Sequence, residues 1–372
     1  MRVLIASDSF GSSLSAEDAC KAIATGWANA APHDRVDILP LSDGGPGFVS
    51  VMSRLTGAKT LEVPIHSPLG SQITASIVIA GESAFIESAQ ACGRNLIDDT
   101  ASLGVRCGST FGVGELVARA LDIGGIKKIV VGLGGSGTND GGAGLLSALG
   151  ATPSDLLNSG GAALGDVSEV NVDRPRERSS GVELLIATDV DNPLTGPQGA
   201  TEVYAPQKGA TVADVAELEA ALTHFAAITD PALSSAPGSG AAGGLGFGFM
   251  LIGASRRSGI ELVSESVSLD QAIARSDLVI TGEGSFDWQS LRGKVIAGVS
   301  HTAAKLGKPV VVIAGQVLLA RREFLGLGVE SAYAVAQTPT EVANSLADPV
   351  CTLIRRAESV ARTWSPASRT ER

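Results

Sequence analysis

The side chains with chemical potential in this chain sit in a few short polar turns. Asp189 and Asp191 are one residue apart and Asn192 follows. On an extended backbone both carboxylates point to the same side, the arrangement that a hard, oxygen-preferring ion such as Mg²⁺ takes. Val131–Ala143 reads VGLGGSGTNDGGA, where Ser136, Thr138, Asn139 and Asp140 are the side chains capable of polar chemistry. Glycine at positions such as Gly134 and Gly135 lets bare N–H groups come close to a ligand, and with a helix N-terminus behind them such groups form an anion cradle. Glycine-rich strand-to-helix turns also serve close packing, and the loop alone leaves both readings open. Gly132, Gly134 and Gly137 satisfy G-x-G-x-x-G, but the next helix begins only after Asp140, so nicotinamide binding ranks below phosphate or substrate binding. Lys208, in a turn, is a candidate for phosphate charge. Lys294 stands at a helix start, where a cation is unfavourable unless it meets an anion.

Three further acidic turns are built alike. Asp8 and Ser9 form one, Asp43 with Gly44 and Gly45 the next, and Glu283 with Asp287 the third. Each follows an apolar run that reads as a strand. In open parallel sheets ligands sit beyond the carboxyl ends of the strands. Taken singly, each of these residues is as well explained by an Asx turn or a cap; five acidic turns in one topological place point to a shared ligand.

The elements that position these turns follow from hydrophobic periodicity. Val3–Ala6 is a short apolar run suited to a buried parallel strand. Ala16–Ala30 carries Cys20, Ile23, Ala24, Trp27 and Ala28 at helical spacing. Arg35–Leu41 reads as a strand and Phe48–Leu55 as a helix. Thr60–Pro64, Gln72–Ala80 and Ser83–Ser88 alternate as antiparallel strands do. Thr152–Pro175 reads as loop, Val212–Ala227 as helix, and Ala232–Gly246 as a mobile or close-approach loop. The β-α alternation returns from about Asp270 to the closing helix Leu353–Trp364. These runs predict an α/β fold in two parts: a discontinuous doubly wound parallel-sheet domain from residues 1–60 and 275–372, and an inserted mixed α/β domain, 61–274, carrying the glycine-rich loop.

Composition narrows the function. Lys and Arg number 28 against 39 Asp and Glu, a formal charge of −11, which argues against non-specific nucleic-acid or membrane binding. Charge for an anionic ligand must then come from local lysines, backbone N–H groups or a metal. The four cysteines form no CxxC and suit a reducing, cytoplasmic setting. No apolar run reaches the ~20 residues of a membrane helix. Walker A, HExxH and GxSxG patterns are absent, and the four histidines are scattered.

Several stretches together resemble the class I glycerate kinases: Asp8-Ser-Phe10 with Ser13-Leu-Ser15, Asp43-Gly-Gly45, Gly134-Gly-Ser136 with Thr138–Gly144, Asp189–Leu194, Pro206–Ala210, Gly240–Gly246, and Thr281–Gly284 with Asp287 and Gly293-Lys294. They occur in the family's order over nearly the whole chain. The resemblance implies a flavodoxin-like domain interrupted by a second α/β domain, and transfer of the γ-phosphoryl group of ATP to D-glycerate with Mg²⁺. It implies Asp189, Asp191, Asp8 and Lys208 as catalytic candidates. Ser9, Asp43, Gly134, Gly135, Ser136, Thr138, Asn139, Asp140, Asn192, Glu283, Asp287 and Lys294 become candidates for binding, and Asp189 and Asp191 for the metal. The expected partners are small molecules, with a homodimer left open. Four positions depart from the family pattern: Gly11 where lysine is expected, Pro46 and Gln90 for glutamate, and Ser285 for arginine. These neutral replacements keep a second reading open, a substrate-switched or non-catalytic relative that binds a small acid or a nucleotide.

Overall fold

The computed structural model describes residues 1–97, 103–291 and 293–365. In chain order the strands are β1 (Arg2–Ile5), β2 (Arg35–Ile38), β3 (Lys59–His66), β4 (Gln72–Ala80), β5 (Ser83–Glu87), β6 (Lys128–Gly132), β7 (Glu183–Ala187), β8 (Ser255–Arg257), β9 (Leu278–Thr281), β10 (Ser285–Phe286), β11 (Val310–Ala314), β12 (Gln316–Val317) and β13 (Val329–Ala334). They divide between two compact units, residues 1–43 with 258–372 and residues 44–257.

The first unit holds a five-stranded sheet in the order β13-β11-β9-β1-β2. Every pairing is parallel, with Val3 opposite Leu278 and Val36, and Val310 opposite Val279. Counted within the unit this is the flavodoxin order 2-1-3-4-5. Successive strand residues face opposite sides, and both sides are covered: Val3, Ile5, Leu278, Ile280, Val311 and Ile313 share a core with Ile23 and Trp27 of helix Ala16–Ala30 and with Leu353, Ala357 and Val360 of helix Pro349–Trp364. The intervening Leu4, Val279 and Val312 are buried as well, and helix Val295–Lys305 packs on β9 and β11. Sheets covered on both faces require these uninterrupted apolar strands.

The second unit is a mixed sheet in the order β3-β4-β5-β6-β7-β8. β3, β4 and β5 are antiparallel neighbours, and β5 through β8 run parallel. The three alternating runs of the sequence thus form the antiparallel edge.

The unit boundaries fall at 43/44 and 257/258 rather than near 60 and 275. Helix Phe48–Met52 packs on β4 and β5, with the Phe48 ring edge-on to Phe85 at 6.1 Å. Glu87 Oε2 accepts from Gly47 N at 3.1 Å and Val49 N at 3.2 Å, which fastens this helix to the second sheet. At the other end, helix Gly259–Ser266 packs with Leu269–Ala274 and Val295–Lys305 of the first unit. Thr152–Pro175 is less loop-like than its composition suggests, since it holds the short helices Ser154–Leu157 and Gly161–Asp166 and the start of Asp173–Ser179. Ala232–Gly246 holds the short 3-10 helix Leu233–Ser235 and a turn, then enters Ala241–Leu251 through a left-handed run at Ala242–Gly244.

Candidate active site

In the first unit the polar turns gather beyond the carboxyl ends of β1, β2 and β9. Past β1, Asp8 N donates to Gly282 O at 3.0 Å, and past β2, Leu41 N donates to Ser7 O at 2.9 Å. These bonds continue the parallel ladder and carry Asp8, Asp43 and Glu283 to the same end of the sheet. Ser9 N donates to Asp8 Oδ1 at 2.6 Å. Asp8 nevertheless keeps its proton well above the ordinary carboxylate range. Burial is the main cause and the charge of Asp43 the next; Ser9 N opposes, Glu283 adds to the rise, and Lys294 opposes it. Glu283 is buried, and its Oε1 has no hydrogen-bond partner among the described residues. Burial pushes it up to about 7 against the pull of Ser290 and Lys294, with Asp287 and Asp43 adding repulsion. Lys294 stands at the N-cap position of helix Val295–Lys305, and its charge acts on the Asp8 and Glu283 carboxyl groups, lowering the proton affinity of both. Asp287 is occupied within its turn: its Oδ1 accepts from Gln289 N at 2.8 Å, and its own N donates to Ser290 Oγ at 3.1 Å.

In the second unit Lys208 lies beneath the glycine loop. Its Nζ donates to Ser136 Oγ at 3.0 Å and to Thr138 O at 2.7 Å. It is buried, and burial lowers it to about 8 from the usual 10.5. The nearby Cys92 thiol is itself pushed up to about 12 by burial, so it stays neutral while Lys208 titrates and lends it no charge. Thr138 Oγ1 and Asn139 Oδ1 are buried without partners among the described residues, while Asn139 Nδ2 donates to Thr201 Oγ1 at 3.0 Å.

Asp140, a binding candidate from sequence, is directed onto donors within the protein. It is fully buried, and four donors fill its oxygens: Thr110 N and Thr110 Oγ1, both at 2.8 Å, and Gly142 N and Gly144 N, both at 3.1 Å. Burial still raises its proton affinity, with these bonds pulling back. Its work is to tie the starts of helices Phe111–Leu121 and Ala143–Ala148 together. The downstream glycines of the loop serve close packing as well. Gly141 N donates to Gly243 O at 3.0 Å. Gly243 has φ +70°, and a Cβ there would run into Thr138 O; one on Gly142 would lie 2.8 Å from Gly248 Cα. The second glycine-rich stretch is thus the partner against which the first is packed, through a left-handed run over Ala242, Gly243 and Gly244.

The Asp189–Asn192 turn is only partly available. Asp191 is 77% exposed and pairs with Arg256 Nη2 at 2.6 Å. Asn192 Nδ2 donates to Gln198 O and its Oδ1 accepts from Tyr204 Oη, both at 2.8 Å, so it shapes the turn. Asp189 is half-buried. The pair therefore does not present two equivalent carboxylates to one ion: one is turned to solvent and neutralised by an arginine.

Sequence reasoning missed Glu87, buried beneath the Gly44–Gly47 turn as the cap of helix Phe48–Met52. Burial raises its proton affinity, and Gln90 hydrogen-bonds to it. Gln90 Oε1 also accepts from Ser76 N at 2.8 Å. A neutral amide at 90 therefore spares Glu87 a second buried carboxylate alongside. Its signal was the lone acidic residue ending an apolar strand. Pro46 packs on the loop, where a Cβ on Gly135 would come 2.7 Å from its Cγ. Ser285 Oγ faces Asp287 Oδ2 at 3.4 Å, and Gly11 has φ +59°.

Comparison with known proteins bears on this arrangement. A model described as the glycerate kinase family matches residues 3–365. The chain belongs to the glycerate kinase family. It is accordingly a kinase by family. It is 40% identical over 330 residues to a glycerate kinase of Bacillus subtilis, covering 85% of each protein. It is 39% identical over 328 residues to the glycerate 2-kinase of Escherichia coli, covering 85% of this chain and 86% of that one. A crystal structure of a candidate glycerate kinase 2 from Salmonella typhimurium superposes with a TM-score of 0.78 at 36% identity, over 98% of both chains. No helix among the described residues is long and apolar enough to cross a membrane.

Proposed function

We propose that this kinase transfers the γ-phosphoryl group of ATP to the 2-hydroxyl of D-glycerate in a Mg²⁺-dependent reaction. The observation that carries the reading is the grouping of Asp8, Asp43 and Glu283 at the carboxyl end of the flavodoxin-ordered sheet, with Lys294 acting on Asp8 and Glu283. The 2-position is taken from the name of the Escherichia coli relative.

Phosphoryl transfer asks mainly for positioning and for stabilisation of charge spread over the transferring group. In the proposed step the glycerate hydroxyl oxygen forms a bond to the γ-phosphorus, the bond from that phosphorus to the bridging oxygen breaks, and ADP leaves. Asp8 in its ionised form accepts the hydroxyl proton, and its raised proton affinity makes it a stronger base than an ordinary carboxylate. Lys294 balances negative charge at the same place. Lys208, held beneath the glycine loop, supplies positive charge to an anionic group bound there.

No three side chains among Asp, Glu, His and Cys of the described residues come close enough to enclose an ion by themselves. Mg²⁺ commonly takes one or two protein carboxylates and fills its shell with phosphate oxygens and water. The partnerless Oε1 of Glu283 suits that mode, and Glu283 would hold the ion. When bound, it would neutralise charge on the β- and γ-phosphates. This assigns the metal ligand to the first unit rather than to Asp189 and Asp191.

The test is a reaction with ATP, Mg²⁺ and D-glycerate followed by ³¹P NMR. Formation of 2-phosphoglycerate supports the reading, and no phosphorylated acid at high enzyme concentration removes it.

A further inference from the structure

We infer that the first half of the glycine-rich loop is a seat for the protein's own main chain rather than a ligand cradle, and that together with Glu87 it positions Asp43 for the reaction. The functional part rests on the carboxylate reading proposed above and adds how one of those carboxylates is held.

Three neighbouring strand ends make the seat. Glu87, the last residue of β5, stands opposite Gly132, the last of β6, and Gly132 stands opposite Ala187, the last of β7. The turn Gly44–Gly47 lies across these ends. Gly44 has φ +95°, and a Cβ on it would lie 2.7 Å from Ala187 O. A Cβ on Gly132 would run into Gly44 O, and one on Gly134 would lie 2.7 Å from Gly45 Cα. Main chain meets main chain at each of these points, an approach that glycine alone permits. Gly44 and Gly45 are buried by it.

Hydrogen bonds fix the seat itself. Ser88 N donates to Gly132 O at 3.1 Å and Leu133 N to Ala187 O at 2.9 Å, so the strand ladder continues into the loop. Farther along, Arg94 N donates to Gly135 O at 2.9 Å and Gly137 N to Cys92 O at 2.8 Å. Ser136 and Thr138, the residues that Lys208 engages, come after the seated stretch.

Glu87 clamps the far end of the turn. Its Oε2 accepts from both Gly47 N and Val49 N. The Gln90 side chain hydrogen-bonds to the same carboxylate, and Gln90 Oε1 is in turn held by Ser76 N on β4 at 2.8 Å. The turn is thereby tied through two side chains to the body of the second sheet. A buried carboxylate that takes main-chain donors leaves them unsatisfied when it is removed, so the clamp is costly to break.

The link to the chemistry is covalent. Asp43 directly precedes Gly44, and its charge acts on Asp8. Across one planar peptide unit the two Cα atoms are ~3.8 Å apart, so a displaced turn carries the main chain of Asp43 with it. Phosphoryl transfer depends chiefly on positioning. Glu87 and Gly134 are therefore positioning residues, acting through Asp43 rather than on a reactant.

The experiment uses the full-length protein with Glu87→Gln and Gly134→Ala, each alone and combined with Asp43→Asn. Amide hydrogen exchange over residues 44–52 is followed by mass spectrometry, and kcat and KM are measured with ATP, Mg²⁺ and D-glycerate. A glutamine at 87 has one oxygen, which cannot serve both the turn and the Gln90 amide. Exchange over 44–52 should therefore quicken in Glu87→Gln while β1 and β9 keep their protection. Its kcat should fall about tenfold or more, with both KM values within about threefold. Adding Gln90→Glu gives that amide an acceptor and should restore most of the loss. In the Asp43→Asn background Glu87→Gln should change kcat by less than about twofold. Gly134→Ala should behave alike; if it does not fold, the Glu87 variants decide. Unchanged exchange over 44–52 overturns the inference, as does a loss of kcat that is as large with Asp43→Asn as without it. If the wild type does not phosphorylate D-glycerate, quickened exchange confined to 44–52 upholds the seat, while the substrate assignment and the role of Asp43 fall.

Discussion

Replacing Lys208 by methionine separates its burial from its chemistry. The ammonium is buried, and its proton affinity is lowered from 10.5 to about 8, chiefly by burial. At about 1.4 kcal/mol per pH unit, the charged form is held at a cost of ~3 kcal/mol. Two charge-assisted hydrogen bonds, to Ser136 Oγ and Thr138 O, offset this; each contributes ~1.5–3 kcal/mol. Lys208→Met is therefore expected to change stability at pH 7 by less than ~2 kcal/mol, while lowering kcat/KM for D-glycerate ~100-fold. The pH dependence is the sharper signature. Below pH 8 the lysine is charged folded and unfolded, and the full penalty applies. Above 10.5 it is neutral in both, and the penalty is gone. Between these values the unfolded chain binds more protons, so stability rises with pH. The wild type should gain ~3 kcal/mol relative to Lys208→Met across that window. Urea unfolding at several pH values measures this, with other titrating groups cancelling in the comparison. Far-UV circular dichroism is the required probe, because Trp27, Trp288 and Trp364 all lie in the other unit. Parallel stability curves for the two proteins would refute the reasoning.

Other substitutions test the separate assignments. Asp140→Asn turns an amide toward donors that now meet a carboxylate, and should destabilise by ~3 kcal/mol in urea unfolding. Gly243→Ala forces a Cβ into Thr138 O at a positive φ and should cost ~2–4 kcal/mol by the same measurement. Asp191→Asn removes one partner of an exposed ion pair; it should leave the unfolding midpoint nearly unchanged and kcat/KM within about fivefold. A loss of several hundredfold would return Asp191 to the chemistry.

Much of the fold was legible because its strands are uninterrupted apolar runs. Val3–Ala6, Leu278–Thr281 and Pro309–Ala314 could hardly be anything but buried parallel strands, and the alternation over 59–87 marked the antiparallel edge. Periodicity says that Phe48–Met52 is a helix with an apolar face, but not which sheet that face will cover, and this moved the unit boundary. Helix Pro339–Ala347 carried its signal in Thr338, Pro339 and Glu341, a capping box that outranks its thin apolar stripe. At the site, residue type showed where polar turns lie but not which way a carboxylate turns. Asp8 and Asp140 each follow an apolar strand. One joins other carboxylates, and the other is consumed by four donors from helix starts that are remote or hidden in sequence. The glycines of 131–143 read as a cradle or as close packing and those of 232–246 as a mobile or close-approach loop, and their packing against one another is a tertiary fact that neither stretch shows alone.

Phosphoryl transfer to D-glycerate is assigned above to the carboxylate group of Asp8, Asp43 and Glu283, and Asp8→Asn tests that assignment at its reacting atom. Wild type and variant are compared in the ATP, Mg²⁺ and D-glycerate reaction at pH 7, with unfolding midpoints measured in parallel. The expected outcome is 2-phosphoglycerate from the wild type and a ~10²–10⁴-fold lower kcat in the variant at equal or greater stability. Turnover that survives Asp8→Asn undiminished would contradict the assignment.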